Sequence, residues 1–229
     1  MAAGRGTRMR ELTQDVPKPM ISVRGKPILL HILEGLRAAG VKEFLIVVGY
    51  RADVVTAYFG DGSRFGVRIV YETQVVQDGT GRVVELARSF CGQDPFILSY
   101  GDILVDPSNY VTLAGMDGAR QGTISVKKNE DVSKGGAVFV NADFQLVDLR
   151  EKPKPGEPSS PWYNAGVYAF RPLIFRFIAT LQKSPRGEYE LTDAIRNMAQ
   201  SGHEVKALEL HGEWADVRDP EVLEQLNAG

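Results

Sequence analysis

The first half of the chain alternates short apolar runs with segments whose apolar residues recur at helical spacing. Apolar runs at 44–48, 67–71 and 96–100 predict buried strands, and the segments 27–39, 52–59, 82–90 and 109–116 predict amphipathic helices. A proline in the first turn and Gly40 after the last turn mark the ends of the first helix. This alternation is typical of a parallel sheet with helices on both faces.

The pattern changes after residue 116. Strand signals at 123–128, 137–141, 145–151 and 162–170 follow one another, separated by glycine, asparagine and proline rather than by helices. Helices are predicted again at 172–181, 191–201 and 220–227, with a strand at 205–210. We therefore expect a single α/β domain over residues 1–229 whose sheet is mixed but mostly parallel.

Composition excludes several classes of partner. The 229 residues contain 27 Lys and Arg against 29 Asp and Glu, without a basic block, so we expect neither nucleic acid nor an anionic membrane as a partner. The lone Cys91 excludes an internal disulfide and favours a reducing compartment. Because the sequence also shows neither a membrane-length apolar run nor a leader pattern, a cytoplasmic location is the expectation.

The glycine-rich start of the chain is a candidate phosphate-binding loop. Gly4, Gly6 and their neighbours offer backbone N–H groups for close approach to an anion, and Arg5 and Arg8 add guanidinium groups that match phosphate oxygens. The segment lacks the third glycine of a dinucleotide fingerprint and the Gly-Lys-Ser/Thr of a P-loop. On this local signal alone, a flexible tail is an equally good interpretation.

Three charged residues further along the chain suggest a metal-assisted phosphate site. Lys18 stands between two prolines that predict an extended chain, Asp102 follows an apolar strand, and Asp216 interrupts an apolar stretch. Taken singly, Lys18 could be a solvated lysine in a turn, and Asp102 could be an aspartate that caps a helix. Together, the two carboxylates could hold one Mg²⁺ and leave its other positions to phosphates and water.

The order of these motifs resembles the sugar-1-phosphate nucleotidyltransferases, also called NDP-sugar pyrophosphorylases. The matching segments cover essentially the whole chain and read AAGRGTRM, PKPM, GKPIL, QVVQDGTG, YGD, EKP, NAG and WADV. The resemblance implies a Rossmann-like fold and attack of a sugar 1-phosphate on a nucleoside triphosphate, with release of pyrophosphate and Mg²⁺ as cofactor. The EKP and NAG segments favour a sugar over a non-sugar phosphate.

The resemblance also implies roles for particular residues. Arg8 and Lys18 would be catalytic, and Asp102 and Asp216 would bind Mg²⁺. The sugar and its phosphate would be held by Gly136, Glu151, Lys152 and Asn164. The nucleotide would be bound by Ala3, Gly4, Gly6, Thr7, Gln74, Gly79 and Thr80. The segment from Gln74 to Gly81 favours UTP, with dTTP or GTP as alternatives.

Departures from the family pattern leave alternatives open. Family members carry a buried strand immediately before the AAG, whereas this sequence has only Met1 there, so we expect the native chain to begin upstream. No C-terminal β-helix repeats are seen. The rival interpretations are a cytidylyltransferase acting on a non-sugar phosphate such as phosphocholine and a degenerate regulatory member that binds a nucleotide sugar without turnover. A homo-oligomer is possible.

Overall fold

The computed structural model describes residues 1–2, 9, 13 and 15–228. Contacts divide the chain into two compact units. We call Met1–Gln77, Ser99–Thr112 and His211–Gly229 the first unit, and Asp78–Leu98 with Leu113–Leu210 the second unit. Within the described residues, no helix is both long and apolar enough to cross a bilayer.

Most of the predicted elements are present. The strands are β1 (Ser22–Val23), β2 (Lys26–Pro27), β3 (Glu43–Val48), β4 (Arg68–Thr73), β5 (Phe96–Ser99), β6 (Ile103–Val105), β7 (Gly122–Lys128), β8 (Gly136–Val140), β9 (Leu146–Glu151), β10 (Trp162–Phe170), β11 (Val205–Glu209) and β12 (Trp214–Asp216). The helices are α1 (Ile28–Ala38), α2 (Ala52–Phe59), α3 (Thr80–Glu85), α4 (Arg88–Cys91), α5 (Ser108–Ala114), α6 (Ile174–Ile178), α7 (Leu191–Gln200) and α8 (Pro220–Ala228).

The first unit is built around the parallel pair β3 and β4, whose register runs from Glu43 opposite Arg68 to Val48 opposite Thr73. Helix α1 ends before Gly40, which has φ +96° and so takes a conformation that glycine adopts without steric cost. Apolar faces of α1 and α2 pack against the strands and form a buried core. Its members are Ala2, Leu29, Leu30, Leu33, Ile46, Val48, Val55, Phe59, Val67 and Ile69.

The first two residues pair with neighbouring segments of the first unit. The Ala2 N–H donates to Val47 O at 2.8 Å, and Ala2 forms a parallel bridge with Val48. On the other side, the Gly101 N–H donates to Met1 O at 2.7 Å, and a Cβ at Gly101 would lie 2.5 Å from that oxygen. Only glycine allows this approach. That the native chain begins upstream of Met1 stays a prediction.

The second unit contains a six-stranded sheet in the order β11-β7-β10-β8-β9, with β5 also paired to β10. The pairs β7–β10, β10–β8 and β8–β9 are antiparallel, and β11–β7 is parallel. The expectation of a mostly parallel sheet is therefore wrong for this sheet. Residues 122–170 form four strands with no α-helix described between them, and antiparallel strands need no crossover helix.

Other differences are local. The single helix predicted over 82–90 is two short helices, α3 and α4, separated by a turn. Just after that turn, the Arg88 guanidinium bonds both Glu85 and the carbonyl oxygen of Phe175, which are contacts that helical periodicity does not encode. The short strands β6 and β12, which were not predicted, pair antiparallel and carry the two candidate aspartates at or beside their ends.

Candidate active site

Lys18, Asp102 and Asp216 meet in the first unit, and we call them the lysine–aspartate cluster. Lys18 Nζ donates to Asp102 Oδ2 at 2.5 Å and lies 4.0 Å from Asp216 Oδ1. The lysine side chain is only 12% exposed, so the interaction is screened little by water. Arg218 Nε adds a second cation 3.8 Å from Asp216 Oδ2. Two carboxylates therefore converge on one ammonium group.

Strand pairing brings the two aspartates together. Asp216 is opposite Ile103 in the β6–β12 register, and the Val217 N–H donates to Asp102 O at 2.9 Å. Lys18 begins a single 3₁₀ turn, Lys18–Met20, rather than the fully extended segment that its prolines predict. Pro17 is extended and Pro19 is buried, so the turn is fixed on both sides of the lysine.

The lysine–aspartate cluster fits Mg²⁺ by its chemistry. Asp102 and Asp216 offer hard carboxylate oxygens, and Mg²⁺ commonly uses one or two protein carboxylates beside phosphates and water. The ammonium of Lys18 already shows that a cation is stable beside both carboxylates. Within the described residues there is no group of three or more His, Cys, Asp or Glu side chains suited to a metal.

Gly136, Glu151 and Asn164 lie together in the second unit. Gly136 is opposite Glu151 in the β8–β9 register, and a Cβ at Gly136 would lie 3.0 Å from Asn164 Cβ. Asn164 Oδ1 is buried and accepts no hydrogen bond within the described residues. Because a buried acceptor without a donor is unfavourable, this oxygen is suited to a hydroxyl from a ligand.

Lys152 has an unusual backbone. Its φ is +44°, and its N–H donates to Gly135 O at 2.5 Å, directly after β9 ends. A side chain in this region of φ is strained, and such strain is more common at functional sites than elsewhere. The bend places Lys152 immediately after Glu151 at the carboxyl end of the strand.

Arg186 and Glu190 complete the surroundings of Glu151, and sequence reasoning missed both. Arg186 Nη1 lies 3.6 Å from Glu151 Oε1 and 3.3 Å from Glu190 Oε1. Glu190 is almost fully buried, and Glu151, Arg186 and Glu190 are called the glutamate cluster here. The only sequence signal that could have indicated the glutamate cluster was an alternation of charged residues before α7, which reads RGEYE.

Burial and a neighbouring carboxylate change the acidity of Glu151. Its pKa is raised to about 7, mainly by burial and also by the negative charge of Glu190, against the opposing effects of Lys152 and Arg186. Burial disfavours the charged form of a carboxyl group, and a like charge nearby acts in the same direction. Glu151 therefore changes charge near neutral pH.

The residues predicted to bind the nucleotide have different surroundings. The Gln74 N–H donates to Val48 O at 2.8 Å in the first unit, and the following Val75 and Val76 are largely exposed. In the second unit, Gly79 and Thr80 contact the segment just before α7. Ala3, Gly4, Gly6, Thr7 and Arg8 lie outside the described residues.

The fold and the acidic strand ends define the class of protein as a mixed α/β protein of the nucleotidyltransferase type. A structure of a protein from Bacillus anthracis described as a glucose-1-phosphate thymidylyltransferase, in complex with sucrose, is similar with a TM-score of 0.89 and 25% identity, over 99% of this chain and 92% of that one. The structure of a UDP-glucose pyrophosphorylase complexed with UDP-glucose is similar with a TM-score of 0.90 and 22% identity, over 99% of this chain and 95% of that one, and it supports the fold.

The sequence model of the Nucleotidyl transferase family matches residues 1–228, and the chain belongs to this family. It is 33% identical to a glucose-1-phosphate thymidylyltransferase of Streptomyces griseus over 99% of this chain and 64% of that protein. It is also 33% identical to the bifunctional protein GlmU of Methanococcus maripaludis over 96% of this chain and 51% of that protein. The chain thus spans between half and two thirds of these relatives.

Proposed function

We propose that the protein joins a sugar 1-phosphate to a nucleoside monophosphate unit taken from a nucleoside triphosphate. A phosphate oxygen of the sugar 1-phosphate attacks the α-phosphorus, the bond from that phosphorus to the β-phosphate oxygen breaks, and pyrophosphate leaves with the electron pair. The observation that carries this proposal is the convergence of Asp102 and Asp216 on Lys18 in a member of the family.

The chemistry needs charge compensation more than proton transfer. The attacking phosphate oxygen is already ionised at neutral pH, so no general base is required, and catalysis consists of aligning two polyanions and neutralising charge. We assign Lys18, and Arg8 of the glycine-rich loop, to binding of the phosphates. Asp102 and Asp216 would hold Mg²⁺, which would neutralise triphosphate charge and stabilise the leaving pyrophosphate.

The second unit would bind the sugar 1-phosphate. Glu151 in its ionised form and Asn164 Oδ1 are acceptors for sugar hydroxyl groups, and the missing side chain of Gly136 lets Asn164 lie close to the β8 backbone. Lys152 and Arg186 are cations suited to the phosphate of the same substrate. The many charged groups at this place distinguish it from an ordinary apolar pocket.

We propose UTP as the nucleotide substrate, with dTTP or GTP as alternatives. The segment from Gln74 to Gly81 motivates UTP, and the similarity to a thymidylyltransferase supports a pyrimidine over a purine. Oligomeric state and cytoplasmic location stay predictions.

Pyrophosphate release from a panel of triphosphates and sugar 1-phosphates tests the proposal. We expect turnover that requires Mg²⁺, stops on chelation and is fastest with UTP or dTTP. Phosphocholine with CTP is included as a second substrate class, and preferred turnover of that pair would favour the cytidylyltransferase interpretation. Absence of turnover with every pair, in protein that still binds a nucleotide sugar by calorimetry, would favour the degenerate binding protein.

A further inference from the structure

We infer that Thr80 is a positioning residue for the glutamate cluster and does not read the base with its side chain. The inference rests on the proposed function, because it assigns a role at the sugar-phosphate half of that reaction. It also departs from the sequence expectation, which groups Thr80 with the nucleotide-binding residues. The contacts that carry it all lie within the second unit.

Thr80 supplies the cap that α7 lacks. The first N–H groups of a helix have no partner within the helix, and a side chain at the preceding position often accepts from one of them. In α7 that preceding residue is Glu190, which makes no such hydrogen bond. Instead, the Leu191 N–H donates to Thr80 Oγ1 at 3.0 Å, across 111 positions of sequence.

Backbone hydrogen bonds hold the same two segments together. The Tyr189 N–H donates to Asp78 O and the Gly81 N–H donates to Tyr189 O, each at 2.8 Å. We call this contact between residues 78–81 and 189–191 the loop contact. Gly79 has φ +121°, and a Cβ there would lie 2.5 Å from both the N and the O of Tyr189. The segments are therefore as close as their backbones permit.

The loop contact fixes the start of α7, and the start of α7 carries the charge beside Glu151. Glu190 is extended, and its carboxylate accepts from Ser184 Oγ at 3.1 Å and pairs with Arg186. Helix α7 packs along β9, which ends at Glu151. If the first turn of α7 frays, the Glu190 carboxylate loses its fixed distance from Arg186, and Arg186 loses its fixed distance from Glu151.

Thr80 already accepts a hydrogen bond from the helix, so its position is set by α7 whether or not a nucleotide is present. A residue that only read the base would not need a partner of this kind. The role through α7 predicts a particular kinetic signature, because a change at Thr80 would affect binding of the sugar 1-phosphate and leave binding of the triphosphate almost unchanged.

Steady-state kinetics of Thr80→Val and Thr80→Ser test the inference, with Thr180→Val as a matched control. Valine keeps the shape of threonine but removes the acceptor, whereas serine keeps it. Thr180 is an exposed threonine of the same unit whose hydroxyl bonds Phe177 O. We expect Thr80→Val to raise KM for the sugar 1-phosphate about fivefold, the size of a lost helix cap. We expect KM for the triphosphate to change less than about twofold, and Thr80→Ser and the control to match the wild type.

A rise in KM for the triphosphate alone, or no change in either KM, would overturn the inference. Amide hydrogen exchange supplies a readout that does not depend on turnover. We expect the Leu191 amide to be protected in the wild type and to exchange faster in Thr80→Val, and an unprotected Leu191 in the wild type would also overturn the inference. No turnover by the wild type with any substrate pair would instead contradict the proposed function, and exchange at Leu191 would still decide the role of Thr80.

Discussion

The lysine–aspartate cluster and the glutamate cluster both hold partly buried charges, but the chain positions them by different means. In the first unit, backbone pairing of β6 with β12 sets the two aspartates side by side. In the second unit, the loop contact and the start of α7 set Arg186 and Glu190 against Glu151. Where strand register fixes the charged residues, the fold should tolerate the loss of a charge. Where loop contacts fix them, the geometry of the cluster should change when the backbone of the loop is altered.

The balance of charge also differs between the two places. Lys18 and Arg218 accompany two aspartates in the first unit, so cations and carboxylates are nearly matched. In the second unit, Arg186 pairs with Glu151, Glu188 and Glu190, so carboxylates outnumber the guanidinium. Burial is the main cause of the raised pKa of Glu151, and the nearby negative charge of Glu190 adds to it.

The largest effect is expected from Asp102→Asn. Asparagine keeps the shape and removes the charge, so the β6–β12 pairing should persist while the Mg²⁺ site is lost. We expect kcat to fall on the order of a thousandfold, as when a key electrostatic group is removed from an active site. Thermal unfolding checks that the fold is intact, and Asp143→Asn in an exposed turn is the control. Unchanged turnover would remove Asp102 from the site.

A smaller effect is expected from Gly79→Ala, which tests whether the second unit depends on backbone contact. The added Cβ meets the backbone of Tyr189 at 2.5 Å, and φ at this position is +121°. Gly92→Ala is a matched control, since Gly92 also has positive φ but has open space around it. We expect Gly79→Ala to lower the free energy of unfolding about 2 kcal/mol more than the control does. Equal losses would show that the loop contact adjusts at little cost.

The smallest effect is expected from Glu190→Gln, which tests the excess of charge around Glu151. The groups facing Glu151 are Lys152 at the end of β9 and Arg186 and Glu190 before α7, and β8 contributes no ionisable side chain. The pKa of Glu151 is raised, so the ionised form is lost as pH falls through about 7. Removing the charge of Glu190 should lower this pKa.

We therefore expect the acid limb of kcat/KM for the sugar 1-phosphate to move to lower pH by up to about one unit in Glu190→Gln. Ionisation of the substrate phosphate is common to all variants, so the difference between variants reports on the protein. The control is Glu188→Gln, which also removes a partner of Arg186 but at a more exposed position. An acid limb that stays in place, or that moves equally in the control, would contradict this electrostatic role.

Periodicity predicted the elements that form by local rules. Helix α2 and strand β10 have the predicted bounds, and α1, β3 and α7 differ from prediction by one residue at either end at most. The prediction of a mostly parallel sheet was wrong, because the alternation of strands and helices before residue 116 does not continue through the four strands of 122–170. The three-residue strands β6 and β12 are too short to show a period of their own.

The amino-acid sequence by itself determined the family and the residues offered for chemistry. Glycine motifs, isolated carboxylates and their order along the chain are local properties that need no coordinates. Only the tertiary structure decided which of them meet: Lys18 with Asp102 and Asp216, and Glu151 with Arg186 and Glu190. The physical reason is that charge–charge distance and burial depend on strand register and on loop contacts between residues as far apart as Thr80 and Leu191, which no short stretch of sequence contains.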